Sequence, residues 1–212
     1  MAYDKVVDST VLENGLTQIA DAIREKTGTG GTLAFPSGFV SAIEGLSGGS
    51  ATEPYIEETY DANGQLIDAV MHGYTSIRPY AFQHCSVLVS VSGISAITSI
   101  GKYAFSQCSN LALTSLPAGI TSIGNNAFHS CGKLALTSLP AGITSIGSYS
   151  FSNCTGLTTI TFEGTPQSID SHAFSGSTKL TTINVPWAEG AVAGAPWGAT
   201  NATINYNYTP EG

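Results

Sequence analysis

Four cysteines, Cys85, Cys108, Cys131 and Cys154, stand 23 residues apart. A metal site needs ligands that converge on a point, with spacings such as C-x2-C, whereas a constant interval of 23 lays thiols in a row. If each interval is one turn of a stacked structure, neighbouring Cα atoms come within disulfide range, but side chains running parallel in register give poor bonding geometry. The row therefore reads as a ladder of buried reduced thiols, with disulfides as the alternative and no metal. Ser177 takes the fifth place. His72, His84, His129 and His172 form no i, i+4 ligand pair and read as solvated surface histidines. GTGGT at 28–32 lacks the G-x-G-x-x-G spacing and follows a predicted helix, so it reads as a linker and not a phosphate loop. Asn-x-Ser/Thr at Asn153, Asn201 and Asn207 has no visible secretory route behind it. No nucleophile, base or ligand set assembles from these spacings. Neither an enzyme activity nor a cofactor is expected.

The interval of 23 belongs to the whole chain segment from 75 to 189, which divides into turns 75–97, 98–120, 121–143, 144–166 and 167–189 without an insertion. Position 3 is always Ile (77, 100, 123, 146, 169), position 8 always Phe (82, 105, 128, 151, 174) and position 14 always Leu (88, 111, 134, 157, 180). A fixed period of this size with recurring Leu and Ile predicts a leucine-rich solenoid, whose turns bury their apolar sides only by stacking on neighbours. Positions 14 to 19 (LALTSL, LTTITF, LTTINV) read as a short strand, stacked in a parallel sheet at roughly 4.8 Å spacing. The register inside that strand stays open. Ile160 and Phe162 put positions 17 and 19 inward, while Leu113 and Leu136 stand at position 16.

Turns 98–120 and 121–143 are nearly the same text. They differ at positions 5, 6, 9, 10, 12 and 13: Lys102/Asn125, Tyr103/Asn126, Ser106/His129, Gln107/Ser130, Ser109/Gly132 and Asn110/Lys133. What the stack buries is constant, and what varies brackets the Ala-Phe and Cys positions on an exposed face. Position 6 reads Tyr80, Tyr103, Asn126, Tyr149 and His172 along the rod, with His129 at position 9. An aromatic row beside amides and hydroxyls is able to stack on sugar rings, and tyrosines bracing each turn explain it equally well. These six residues are the candidate ligand-contact face.

The pattern TSIGxxAFxxCxxLxxxxLPxxI over 75–186 resembles the BspA-like, treponemal type of leucine-rich repeat. That resemblance implies a curved right-handed solenoid used for adhesion and surface recognition without catalysis. LTQIADAIREKTG with TLAFPSGFVSAIEGL (16–46), and the ending VPWAEGAVAGAPWGATNATINYNYTPEG, resemble the flanks of tail-associated proteins encoded by phages of Gram-positive gut bacteria.

The flanks have their own physical reading. Thr10-Val-Leu-Glu13 is a capping box, and Leu12, Leu16, Ile19 and Ile23 make one apolar stripe, so a helix is expected over about 11–26. A second short helix starts near Pro36 and would bury Phe39, Ile43 and Leu46. The pair is either an αα-hairpin packed on itself or an attachment to a larger particle, and a homo-oligomer stays open. After a small-residue linker, Asn63-Gly64 between two alternating runs signals a β-hairpin, placed where a solenoid needs its open edge capped. The aromatic residues Trp187, Trp197, Tyr206 and Tyr208 would cover the other end. The fold class is thus a mainly β solenoid with five 23-residue turns, a short helical start, a hairpin N-cap and an aromatic C-cap. Its parts are 1–46 helical attachment, 47–56 linker, 57–74 hairpin, 75–189 solenoid and 190–212 cap.

The net charge of −8 sits wholly in residues 1–72, and residues 73–212 hold four residues of each sign. No basic face is available for nucleic acid or an anionic membrane, and no apolar run is long enough to insert in one. The start MAYDKVVDST lacks a secretory leader, so export is not expected for the chain as it stands. Two expectations follow. The first is a phage tail or baseplate component in the virion, attached to other virion proteins by its helices, with the repeats facing a bacterial cell-surface glycan or protein. The second is a bacterial surface or secreted adhesin of the same repeat type.

Overall fold

The computed structural model describes residues 54–209. The two predicted helices of residues 1–46 lie outside the described residues, as do residues 47–53 of the linker. The first elements are β1 (Tyr55–Tyr60) and β2 (Leu66–His72), an antiparallel hairpin. It takes in Tyr55 and Ile56, which the sequence division left in the linker. Asn63-Gly64 does not form a two-residue turn. Asp61 and Gln65 close a three-residue loop, with Asp61 N–H donating to Gln65 O at 2.9 Å and Gly64 in the left-handed region at φ +74°. Such a loop needs one residue at positive φ, and glycine takes it without steric cost. Asp61 Oδ1 accepts from the backbone N–H groups of Asn63 and Gln65 at 2.8 and 2.9 Å.

The solenoid carries two kinds of short strand. At positions 2 and 3 of the five turns stand β3 (Ser76–Ile77), β5 (Ser99–Ile100), β6 (Ser122–Ile123), β8 (Ser145–Ile146) and β10 (Ser168–Ile169), all paired in parallel with Ser on Ser and Ile on Ile. At positions 16 to 19 the ladder is broken. β4 (Ser90–Ser92) pairs in parallel with β2, so the hairpin does extend the first turn. A separate sheet then runs β7 (Ser138–Leu139), β9 (Thr159–Phe162), β11 (Thr182–Asn184) and β12 (Thr203–Asn205), again in parallel.

No strand forms over Leu111–Leu116, where LALTSL predicts one. The side chains of the two kinds of turn are buried in different patterns. In LTTITF the buried positions are 14, 17 and 19, an inward Ile160 and Phe162 two residues apart as a pleat requires. In LALTSL at 134–139 they are 14, 16 and 19, with Leu136 and Leu139 three residues apart, and only Ser138–Leu139 pairs as a strand; at 111–116 Leu111 and Leu116 are buried and Leu113 is half-buried. Both registers left open by the sequence are used, in different turns. Ala135 N–H donates to Leu113 O, 22 residues back, whereas Thr161 N–H donates to Thr137 O, 24 residues back, as the parallel pairing of Ser138 with Thr161 requires.

The core is what the invariant positions predict. Ile at 3, Phe at 8 and Leu at 14 are buried in every turn. The phenylalanine rings stack with centroids 5.2 to 5.4 Å apart and planes within 12° of parallel. Turns approach closely because position 4 is glycine in the middle of the rod. A Cβ on Gly101 would stand 2.4 Å from Pro79 N, and one on Gly124 2.6 Å from Lys102 N. Residues after 189 do more than cap the stack. Trp197 is fully buried, its carbonyl accepts the Phe174 N–H at 2.9 Å, and β12 adds to β11, so a sixth, shorter turn follows the five. Trp187 packs edge-on to Phe162 at 5.2 Å and seals that end of the core.

Candidate functional site

Each of the first four turns bends at two places where a residue sits in the left-handed region. Position 6 does so at Tyr80, Tyr103, Asn126 and Tyr149 (φ 63°, 56°, 56° and 53°), and position 10 at His84, Gln107, Ser130 and Asn153 (φ 64°, 65°, 58° and 56°). Positive φ is uncommon outside glycine and costs of order 1 kcal/mol or more. Turn-to-turn hydrogen bonds hold it in place. Tyr80 N–H donates to Lys102 O, Tyr103 N–H to Asn125 O and Asn126 N–H to Ser148 O, all at 2.8 to 2.9 Å. Two of the variable positions, 6 and 10, are thus held at positive φ by the stack.

This backbone brings position 6 into one row. Tyr80 and Tyr103 stack at 5.3 Å with planes 6° apart, and Tyr149 stacks on His172 at 5.1 Å and 29°. The stacked rings turn their faces along the rod axis. Tyr80, Tyr149 and His172 are exposed, whereas Tyr103 and Asn126 are half-buried. Lys102 Nζ lies 5.3 Å from the centre of the Tyr80 ring, a cation–π contact. His172 is also fixed by Asp170, whose Oδ1 accepts the His172 backbone N–H at 2.9 Å and stands 3.6 Å from its Nδ1. Asn126 stands between the two stacked pairs with no ring of its own.

Two histidines depart from the expected solvated state. His129 is half-buried and its Nδ1 is enclosed without a hydrogen-bond partner. It occupies position 9, where Ser106 and Ser152 of the adjacent turns are buried, so a larger side chain has been set into a closed place. His72 is held by the hairpin, stacked on Tyr55 at 4.4 Å with Nε2 3.7 Å from Glu57 Oε2. His84 is exposed, as expected, with Nδ1 3.1 Å from Gln107 Oε1.

The cysteines are free thiols inside the stack. Cys108, Cys131 and Cys154 are fully buried and Cys85, in the first turn, is half-buried. Each buried thiol donates to the carbonyl of the phenylalanine one turn earlier: Cys108 to Phe82, Cys131 to Phe105 and Cys154 to Phe128, at 2.9 to 3.0 Å. Burial pushes the Cys108 and Cys154 thiols up to about 12, and raises Cys131 further and Cys85 less. Thiols held protonated in this way are poor nucleophiles and poor ligands.

Sequence reasoning passed over the outward face of the five-stranded sheet. Ser122, Ser145 and Ser168 line a groove of about 460 Å³ floored by Gly124 and Gly147 and flanked by Asn125. The signal was present, since position 2 is Ser in all five turns. A second groove of about 460 Å³ opens where the LALTSL ladder fails, between Val91–Ser95 and Ala112–Pro117.

The model of the BspA type leucine rich repeat region matches residues 75–189 in six copies. Among curated proteins none matches. Of solved structures, a leucine rich repeat protein of T. pallidum is 24% identical, over 72% of this chain and 79% of that one, with a TM-score of 0.46. A leucine-rich repeat protein from Bacteroides ovatus is 21% identical over 64% of this chain and 46% of its own, with a TM-score of 0.38. The pneumococcal vaccine antigen PcpA is 16% identical over 72% and 48% of the two chains, with a TM-score of 0.45. These are likenesses of fold alone. The match over 75–189 takes in more than half of the chain, with the Ile, Phe, Cys and Leu positions that build its core, and on it the protein belongs to the BspA type leucine rich repeat family.

Proposed function

We propose that this chain is a recognition and adhesion module without catalysis of its own, and that it presents Tyr80, Tyr103, Asn126, His129, Tyr149 and His172 to a bacterial cell-surface glycan or protein. One observation carries the reading. Between the two nearly identical turns the hydrophobic core is unchanged, and five of the six differences fall outside it, only position 9 (Ser106/His129) being enclosed, while positions 6 and 10 are held at positive φ by the stack. A scaffold that fixes the backbone and varies only the displayed side chains is suited to selecting a ligand and not to moving bonds. The neutral balance of residues 73–212 adds that attraction at a distance contributes little.

The module is carried, in this reading, on a phage tail or baseplate, with residues 1–46 attaching it to other virion proteins. What supports this is the resemblance of 16–46 and of the C-terminal segment to tail-associated proteins. The test has two arms. Full-length protein should sediment with cell walls of a Gram-positive host at both low and high salt, and Tyr103→Ala or Tyr149→Ala should weaken that binding while leaving the melting temperature nearly unchanged. Immunogold labelling of induced phage particles should decorate tails. Binding that collapses with salt or ignores both tyrosines would remove the face. Label on the bacterial envelope and none on particles would leave a bacterial surface adhesin in place of a virion protein.

A further inference from the structure

Turn 121–143 lacks the ring that its neighbours carry. Tyr103 and Tyr149 lie two turns apart, about 10 Å at the spacing of parallel strands, with their faces directed along the axis. Rings stacked from one turn to the next keep 5.1 to 5.4 Å between centroids. The gap above Asn126 is therefore one ring thick, and an occupant would stand about 5 Å from an aromatic face on either side, a normal stacking distance.

Three further observations fall on this same turn. The Asn126 side chain, half-buried at the base of the gap, bonds to no group among the described residues, leaving two donors and an acceptor free. His129 is joined to Asn126 by one tight turn, His129 N–H donating to Asn126 O at 3.1 Å, and its enclosed Nδ1 has no partner. Apart from Lys133 at position 13 the turn carries no charge. The enclosed His129 Nδ1 carries a free-energy cost unless something satisfies it, and the Asn126 amide, which is not enclosed, is free to bond a ligand.

We propose that the gap is a binding slot for one pyranose ring of a neutral surface glycan, held between Tyr103 and Tyr149 with its hydroxyls bonded to the Asn126 amide. A pyranose has apolar C–H faces for the two rings and a hydroxyl edge for the amide. A flat aromatic side chain from a protein partner would satisfy the rings and leave the amide unpaired. The proposal rests on the recognition reading and narrows it to one ligand class and one turn.

The test is a substitution that the repeat itself supplies. Asn126→Tyr restores at position 6 the residue of the preceding turn, so the variant should fold and stack continuously. Full-length protein is titrated with cellohexaose, mannohexaose and chitohexaose while the Asn126 side-chain amide is followed by NMR. At least one of the three should shift that amide, and Asn126→Tyr should weaken its binding on the order of tenfold or more, as loss of both stacking faces predicts. Asn126→Ala keeps the gap open and should lose less. The slot is overturned if no sugar in the panel moves the amide, if Asn126→Tyr binds as tightly as the original, or if free tyrosine moves the amide and the sugars do not. Cell-wall sedimentation separates the two readings, because an Asn126→Tyr variant that still sediments leaves the rod a recognition module with its site elsewhere.

Discussion

Ser177 Oγ donates to the carbonyl oxygen of Phe151 at 2.7 Å, in the place where Cys154 Sγ donates to Phe128 at 3.0 Å. Position 11 thus has one task in every stacked turn, which is to bond the phenylalanine carbonyl of the turn before from inside a dry core. A thiol does so weakly while packing as a small apolar group. Cys131→Ser should keep the bond and change stability by less than about 1 kcal/mol. Cys131→Ala forfeits it and leaves a gap, for a loss of about 1 to 2 kcal/mol. Urea unfolding of the two variants checks the order.

The same thiols set a pH dependence. Cys108 and Cys154 are raised from an ordinary 9.0 to about 12 by burial, so the folded protein holds protons that the unfolded chain gives up. Their contribution is complete below pH 9 and is lost progressively as pH rises from 9 toward 12. The urea midpoint, taken under reductant, should fall over that range. A thiol reagent at neutral pH should label Cys85 first and reach all four cysteines only on unfolding.

What the sequence disclosed and what it hid have a common physical cause. Ile77, Phe82 and Leu88 and their copies are read correctly from spacing because burial in a stack demands the same side chain at the same place every turn. The hairpin was likewise marked by Gly64, a residue whose backbone freedom the loop requires. The strand expected at Leu111–Leu116 does not form, and the same text at 134–139 yields only Ser138–Leu139: a period of 23 says nothing about pleat, and Leu at 16 with Leu at 19 breaks the alternation that a longer strand needs. Tyr103, Gln107 and Ser130 carry positive φ without any of the residues that usually announce it, since the constraint comes from bonds to the next turn. The stacking of Tyr80 on Tyr103 was hidden for the same reason: position 6 was legible as a row, but the direction of its rings depends on that backbone.

Phe128 is packed by rings on both sides, 5.2 Å from Phe105 and 5.4 Å from Phe151. Phe128→Ala should cost about 3 to 5 kcal/mol, a large part of the stability of a domain this size. Phe82 ends the ladder with one ring neighbour, and Phe82→Ala should cost less. Thermal melts of both variants test whether the ladder is the core.

Ser150 departs from its own repeat on the buried face to no visible benefit. Position 7 is Ala at 81, 104, 127 and 173, and in turn 144–166 it is a serine whose side chain is fully buried and whose hydroxyl has no hydrogen-bond partner. The unfolded chain keeps that hydroxyl in water, so folding carries a desolvation cost of about 1 to 3 kcal/mol that nothing in the core offsets. Alanine fits the same backbone in the turns on either side, Ala127 and Ala173 being fully buried, so removing the oxygen asks for no repacking beyond one small atom. Ser150→Ala should therefore stabilise the protein by about 1 kcal/mol, the cavity left behind taking back part of the gain. The urea midpoint should rise with the slope of the transition unchanged, and binding through the neighbouring Tyr149 should be untouched, because position 7 points into the core. A midpoint that stays put or falls would show that the hydroxyl is satisfied, by an enclosed water or by a shift of the backbone, and that the fourth turn keeps its serine for stability.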